Sequence, residues 1–164
     1  MYAGLAGGYL LRNGDDPGDG TRLPAPPYEQ PLVLQDRMFN ADGTFGYPPN
    51  MNPTTPRPWA PEFFGDVATV NGKIWPTLAV DRGKYRFRVY NGSNARYYNL
   101  KLKSSLGTTL TFVQIGSDGG LLNAPVALSK LLLGPGERAD LVIDFAPLPA
   151  GTLVRLTNDA PVPF

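Results

Sequence analysis

The segment Lys84 to Leu102 reads KYRFRVYNGSNARYYNLKL, and its alternation decides the fold class. Tyr85, Phe87 and Val89 fall on one face of a strand, with Arg86, Arg88 and Tyr90 on the other, because successive side chains of a strand point to opposite faces. Asn91-Gly92-Ser93-Asn94 then brings together residues that tolerate tight or left-handed backbone. Beyond it Tyr98, Leu100 and Leu102 alternate with Asn99 and Lys101. The pattern reads as a hairpin of two strands, each with one apolar face. A lone hairpin is marginal in water, so those faces predict a second sheet to cover them.

The same period recurs on both sides. Upstream, Leu32-Val33-Leu34 lies in a strand predicted over 30–38, and Asp42-Gly43 marks a turn between the aromatics Phe39 and Phe45. The proline-dense stretch from Tyr47 to Pro61 cannot supply the N–H groups of a strand interior and reads as a long surface loop. Asp66 to Val70 and Lys73 to Trp75 flank Asn71-Gly72, the strongest short hairpin signal. Downstream, Thr109 to Ile115 predicts one strand and Gly116 to Gly120 a strand-to-strand turn. Further strands follow in 126–133, in Glu137 to Phe145 and in Gly151 to Asn158. No segment carries a sustained 3.6-residue period. Roughly nine short strands at near-regular spacing predict an all-β, antiparallel Greek-key sandwich or barrel.

Three segments follow. Met1 to Arg12 is apolar and glycine-rich, and Tyr9-Leu10-Leu11 reads as a strand end. It is either part of a unit preceding the main domain or an edge strand of that domain. Residues 13–29, dense in Gly, Pro and Asp, read as a linker. Residues 30–164 form the domain, and the loop from Asn158 to Phe164 suggests that a final strand is missing.

The totals bound the function. The chain has 164 residues, enough for one domain that buries about 70% of its unfolded surface. Its 19 glycines and 18 prolines would suit disorder, but 42% apolar content places it among turn-rich globular domains instead. With 15 basic and 14 acidic residues the net charge is +1, no electrostatic footprint for a nucleic acid or an anionic membrane. No apolar run reaches the length of a membrane-spanning helix. His and Cys are both absent. Disulfides, thiolate chemistry, a Ser-His-Asp triad and metal sites built of imidazole or thiolate are therefore excluded.

The remaining constellations favour structural roles. Glu137, Arg138 and Asp140 follow the turn Gly134-Pro135-Gly136, and an internal ion pair pinning the start of the strand is preferred over an anion site. Gly116 to Gly120 has a phosphate cradle's glycines but neither its Lys nor a following helix. Asp15, Asp16 and Asp19 lack the spacing of a calcium loop and read as solvated linker charges. Asp140 and Asp144 share one strand face, but no aromatic cleft supports them as a glycosidase pair. Tyr97, Tyr98 and Trp75 read as core or interface residues rather than sugar platforms.

Seven strings, in order, resemble one family: Tyr2 to Gly7, Pro31 to Arg37, Val70 to Pro76, Tyr85 to Val89, Asn91 to Asn94, Gln114 to Gly120 and Leu133 to Phe145. The chain resembles the middle part of three-domain multicopper oxidases, on the bacterial spore-coat laccase and bilirubin oxidase branch. The resemblance implies a cupredoxin-like Greek-key β-sandwich that carries no copper ligands. Such a domain spaces a first and a third cupredoxin domain, which hold the copper, and helps wall the substrate pocket. Residues 1–12 would then be the closing strand of the first domain. Pro61, Glu62 and Phe64 match one pocket loop, and 158–164, beginning at Asn158, match a second. In the spore-coat enzyme a disulfide joins the two loops; Phe64 stands at one of its positions here and the other is absent, so the resemblance does not fix the loop geometry. Asn91, Asp118, Glu137, Arg138 and Asp140 are read as structural residues, and no catalytic, cofactor-binding or metal-binding residue is expected in the chain.

Two functions are therefore expected. The first is a copper-free, inactive scaffold from an oxidase that, intact, uses copper to couple phenol or aromatic oxidation to the reduction of oxygen to water. Its partners are the missing first and third domains. The second is a stand-alone binding or assembly module, self-associating through residues 1–12.

Overall fold

A computed structural model describes residues 2–47, 60 and 62–162. Among the described residues there are eleven strands and no helix: β1 (Glu29–Arg37), β2 (Val67–Val70), β3 (Lys73–Ile74), β4 (Lys84–Asn91), β5 (Tyr98–Ser104), β6 (Thr109–Leu110), β7 (Phe112–Ser117), β8 (Gly120–Leu128), β9 (Leu131–Leu133), β10 (Arg138–Asp144) and β11 (Val154–Asn158). One sheet has the order β3-β2-β1-β4-β10-β7-β8. In the other, β5 pairs β11 along one edge and shares its second edge between β6 and β9. The all-β sandwich read from the alternation is the fold found. It is not purely antiparallel, because β1 runs parallel to β4.

The Asn-Gly signal is obeyed. Val70 pairs with Lys73 across a two-residue loop, and Asn71 and Gly72 take φ of 50° and 77°. Positive φ at both loop residues matches the twist of the strands it joins. Ser117 likewise pairs with Gly120 around Asp118-Gly119.

The opening segment departs from its reading. Residues 84–102 are not a hairpin: β4 lies in the seven-stranded sheet and β5 in the four-stranded one. The physical reason is the core. Tyr85, Phe87 and Val89 meet Tyr98, Leu100 and Leu102 in one buried cluster, together with Phe112, Leu131, Leu133, Leu141 and Ile143. A hairpin would set both apolar faces side by side on one surface, whereas an arch brings them face to face. The arch is fastened at Asn91, whose Nδ2 donates to the carbonyls of Arg96 (2.8 Å) and Leu133 (3.0 Å) while its Oδ1 accepts from the Ser93 amide (3.0 Å). The predicted 109–115 strand is also split, with β6 in one sheet and β7 in the other.

Residues 2–28 form no strand, so the edge-strand alternative for the first dozen residues does not hold within this chain. Instead they lie against the seven-stranded sheet. The Tyr2 hydroxyl accepts from the Met38 amide at 3.1 Å and donates to the Gly46 carbonyl, and its ring meets Phe63 edge-on with centroids 4.5 Å apart. Ala6 approaches Gly92, and Gly8 lies so close to Tyr90 that an added Cβ would sit 2.6 Å from its hydroxyl oxygen. We call residues 2–28 the strap.

Candidate functional site

On β4, core residues alternate with two arginines, and both faces are covered. Tyr85, Phe87 and Val89 enter the core, while Arg86, with 1% of its side chain exposed, lies under the strap. Such a buried charge survives only when paired and fully hydrogen-bonded. Arg86 forks twice. Its Nη1 and Nη2 donate to the two oxygens of Asp16 at 2.7 and 2.8 Å, and its Nε and Nη2 donate to Asp140 at 2.9 and 2.5 Å. Arg88 donates from Nη2 to Asp16 at 2.6 Å and from Nε to Glu29. Arg12 closes the group, reaching Asp16 at 2.9 Å and Glu29 at 2.6 Å. Three guanidinium groups face three carboxylates, so the cluster is formally neutral. It ties the strap to β1, β4 and β10.

The electrostatics follow from that geometry. The Arg86 fork, against the cost of burial and with help from Arg88, holds the Asp16 carboxyl well below the usual range. Burial opposes ionisation of Glu29, yet hydrogen bonds from Arg12 and Arg88 prevail and lower its pKa. Burial likewise opposes the charge of Arg86, and Asp140 and Asp16 more than offset it, raising its pKa. On the other strand of the arch, burial pushes the Tyr98 hydroxyl up to about 12, against a 2.9 Å hydrogen bond with Ser93.

This cluster corrects two expectations. Asp16 is not a solvated linker charge but is 6% exposed and bonded to three arginines, whereas Asp15 does stay exposed, paired with Arg22 at 3.0 Å. Nor do Glu137, Arg138 and Asp140 pair with one another. Arg138 pairs with Asp118 at 3.3 Å, and its amide donates to the same carboxylate at 2.6 Å. Glu137 accepts from the Gly134 amide at 2.5 Å, closing its own turn. Asp140 points to the outer face of β10, where the arginines of β4 claim it. Asp144 shares that face but is exposed and bonds the Ala146 amide.

A further buried carboxylate, apart from that cluster, sits near the end of β1. Asp36 Oδ2 accepts from Arg96 Nε at 3.0 Å and from the Gly65 amide at 2.7 Å, and Arg96 also holds the Gly65 carbonyl at 2.7 Å. Asp36 Oδ1 has no partner among the described residues. The Arg96 guanidinium lies 5.6 Å from the centre of the Phe64 ring. Of the expected pocket-wall residues, Pro61 lies outside the described residues and Glu62 is exposed. Asn158 ends β11, where its Oδ1 accepts from the amides of Asn99 (2.7 Å) and Ala160 (3.0 Å). Among the described residues no hydrogen bond, ion pair or ring contact joins Glu62 or Phe64 to Asn158. No group of three or more His, Cys, Asp or Glu among them could hold a metal ion.

Sequence pattern alone does not assemble the arginine and carboxylate cluster, whose members lie up to 128 positions apart, from Arg12 to Asp140. Its signal was present: two arginines on one face of a strand demand carboxylates, and the nearest unassigned ones lie in the linker. The arrangement can do no acid–base work, because every carboxylate in it is held by at least two arginines. Its chemistry is structural.

No protein-family model matches the chain. Individual relatives do. The laccase of Bacillus subtilis is 44% identical over 98% of this chain, and the multicopper oxidase LPR1 of Arabidopsis thaliana is 41% identical over all of it. The chain spans only 31% and 28% of those relatives' lengths. Among solved structures, the multicopper oxidase McoA of Aquifex aeolicus superposes with a TM-score of 0.71 at 36% identity, over 80% of this chain and 27% of that one. A laccase from Pediococcus acidilactici gives 0.64 at 34% identity, over 80% and 26%.

Proposed function

We propose, starting from a chain that belongs to the multicopper oxidase family and matches less than a third of its relatives' length, that this domain is a copper-free spacer. In an intact oxidase it would hold the copper-bearing domains apart and in register. The oxidation of phenols or aromatic amines, with reduction of oxygen, would belong to the assembled protein. The observation that carries this reading is the ligand inventory. Copper sites of the family's kind are built from imidazole and thiolate, and this chain has neither. Its clustered carboxylates do not fit the metal either, since three guanidinium groups already neutralise them. On this reading residues 1–12 belong to the closing strand of the preceding domain, and Glu62, Phe64 and Asn158 face the substrate pocket.

The test is a segment exchange. The homologous portion of the Bacillus subtilis laccase is replaced by this chain, and bound copper and phenol oxidation are measured. A spacer leaves the full complement of copper in place. A folded, soluble chimera that binds less copper than the parent would contradict the proposal.

A second reading, a self-associating module, is favoured by one observation: Leu5, Tyr9 and Leu11 are 85%, 87% and 77% exposed on the strap. Light scattering of the purified chain separates the two, because a strict monomer removes this reading.

A further inference from the structure

The stretch from Asn71 to Arg82 leaves the sheet at its β3 edge, and every one of its residues is exposed. Its middle is apolar nonetheless: Ile74, Trp75, Leu78 and Val80 are 51%, 74%, 49% and 37% exposed. Trp75 also sits at a φ of 42°. A bulky residue in the left-handed region is a genuine outlier, and it persists where surrounding structure or function demands it. Here the surroundings supply little. Among the described residues no backbone hydrogen bond holds Trp75 to Val80, and no ring contact involves the Trp75 indole. The strain therefore presents the indole rather than buries it.

We propose that this segment is a docking surface for another part of a longer polypeptide of this family, with Trp75 as its anchor. The inference rests on the spacer reading above. Relatives run to between three and four times the length of this chain, so most of such a polypeptide lies outside it. The surface has the make-up of an interface: an aromatic and aliphatic centre, with a charged rim of Lys73, Asp81 and Arg82. The partner that fits is an apolar groove on an adjoining domain, deep enough for an indole and free of buried charge. A second copy of this chain is the competing occupant.

The experiment uses hydroxyl-radical footprinting of the Trp75 peptide, in the 164-residue chain and in the laccase chimera. The expected result is strong oxidation of Trp75 in the chain alone and several-fold protection in the chimera. Trp75→Ser should then leave the melting temperature of the chain unchanged and lower that of the chimera by several degrees. Equal oxidation of Trp75 in both, in a chimera that carries its full copper, overturns the docking surface while the spacer reading stands. Loss of copper from the chimera strikes the spacer reading instead. A second measurement needs no chimera. The chain alone should bind an anilinonaphthalene dye, and Trp75→Ser should weaken that binding several-fold. Unchanged dye binding, or concentration-dependent protection of Trp75 in the chain alone, also overturns the proposal.

Discussion

Arg86 fastens two segments at once. It joins β10 through Asp140 and the strap through Asp16, with no water-facing side left. Removing one partner of a buried pair leaves an uncompensated charge and costs about 3–5 kcal/mol. Arg86→Met should therefore lower unfolding free energy by up to about that amount in urea melts, since Asp16 and Asp140 lose their most buried partner and keep only the more exposed Arg12 and Arg88. Arg88→Met should cost less, because Arg88 is more exposed and its carboxylates keep other arginines. The same cluster sets an acid limit. Asp16 and Glu29 are held below their ordinary range in the folded chain, so as pH falls the unfolded chain takes up protons first. Their contribution is complete above the unfolded values, near pH 4, and is lost as pH drops through them toward the folded values. Stability measured against pH should be flat above about pH 5 and fall below about pH 4. In Arg86→Met that fall should be shallower.

At the scale of elements, the arch between β4 and β5 and the contact of Gly65 with β1 do the shaping. A Cβ on Gly65 would lie 2.4 Å from the Arg37 amide nitrogen and 2.6 Å from its carbonyl carbon. Backbone cannot swing aside as a side chain can, so Gly65→Ala should destabilise by about 1–3 kcal/mol, seen as a lower melting temperature. The strands themselves were legible. Alternation located β4, β5 and β10, short apolar runs located β1 and β11, and Asn71-Gly72 and Gly116 to Gly120 located turns. What alternation does not carry is the partner of each strand. Residues 84–102 have the same pattern whether the chain turns back beside itself or crosses to the facing sheet. The choice is made by distant residues, among them Leu133, whose carbonyl receives the Asn91 side chain. The ion pairs were hidden for the same reason. Arg138 has two acids beside it in sequence, yet it pairs with Asp118, twenty positions away. Asp16 finds Arg86 across seventy.

For the whole molecule, composition spoke more plainly than any motif. The absence of His and Cys removes imidazole and thiolate ligation of a metal before any fold is considered, and the fold is an all-β sandwich related to multicopper oxidases. The candidate pocket wall was the least legible part, because Phe64 and Asn158 make their described contacts with separate neighbours and Glu62 is exposed. The account depends on this polypeptide having nothing with which to hold or pass an electron. The most direct measurement supplies Cu(II) and a phenol to the purified chain while following visible absorbance and dissolved oxygen. We predict no intense blue band, which needs a thiolate ligand, and no oxygen uptake. Blue colour, or oxygen consumed in proportion to the chain, would contradict the account.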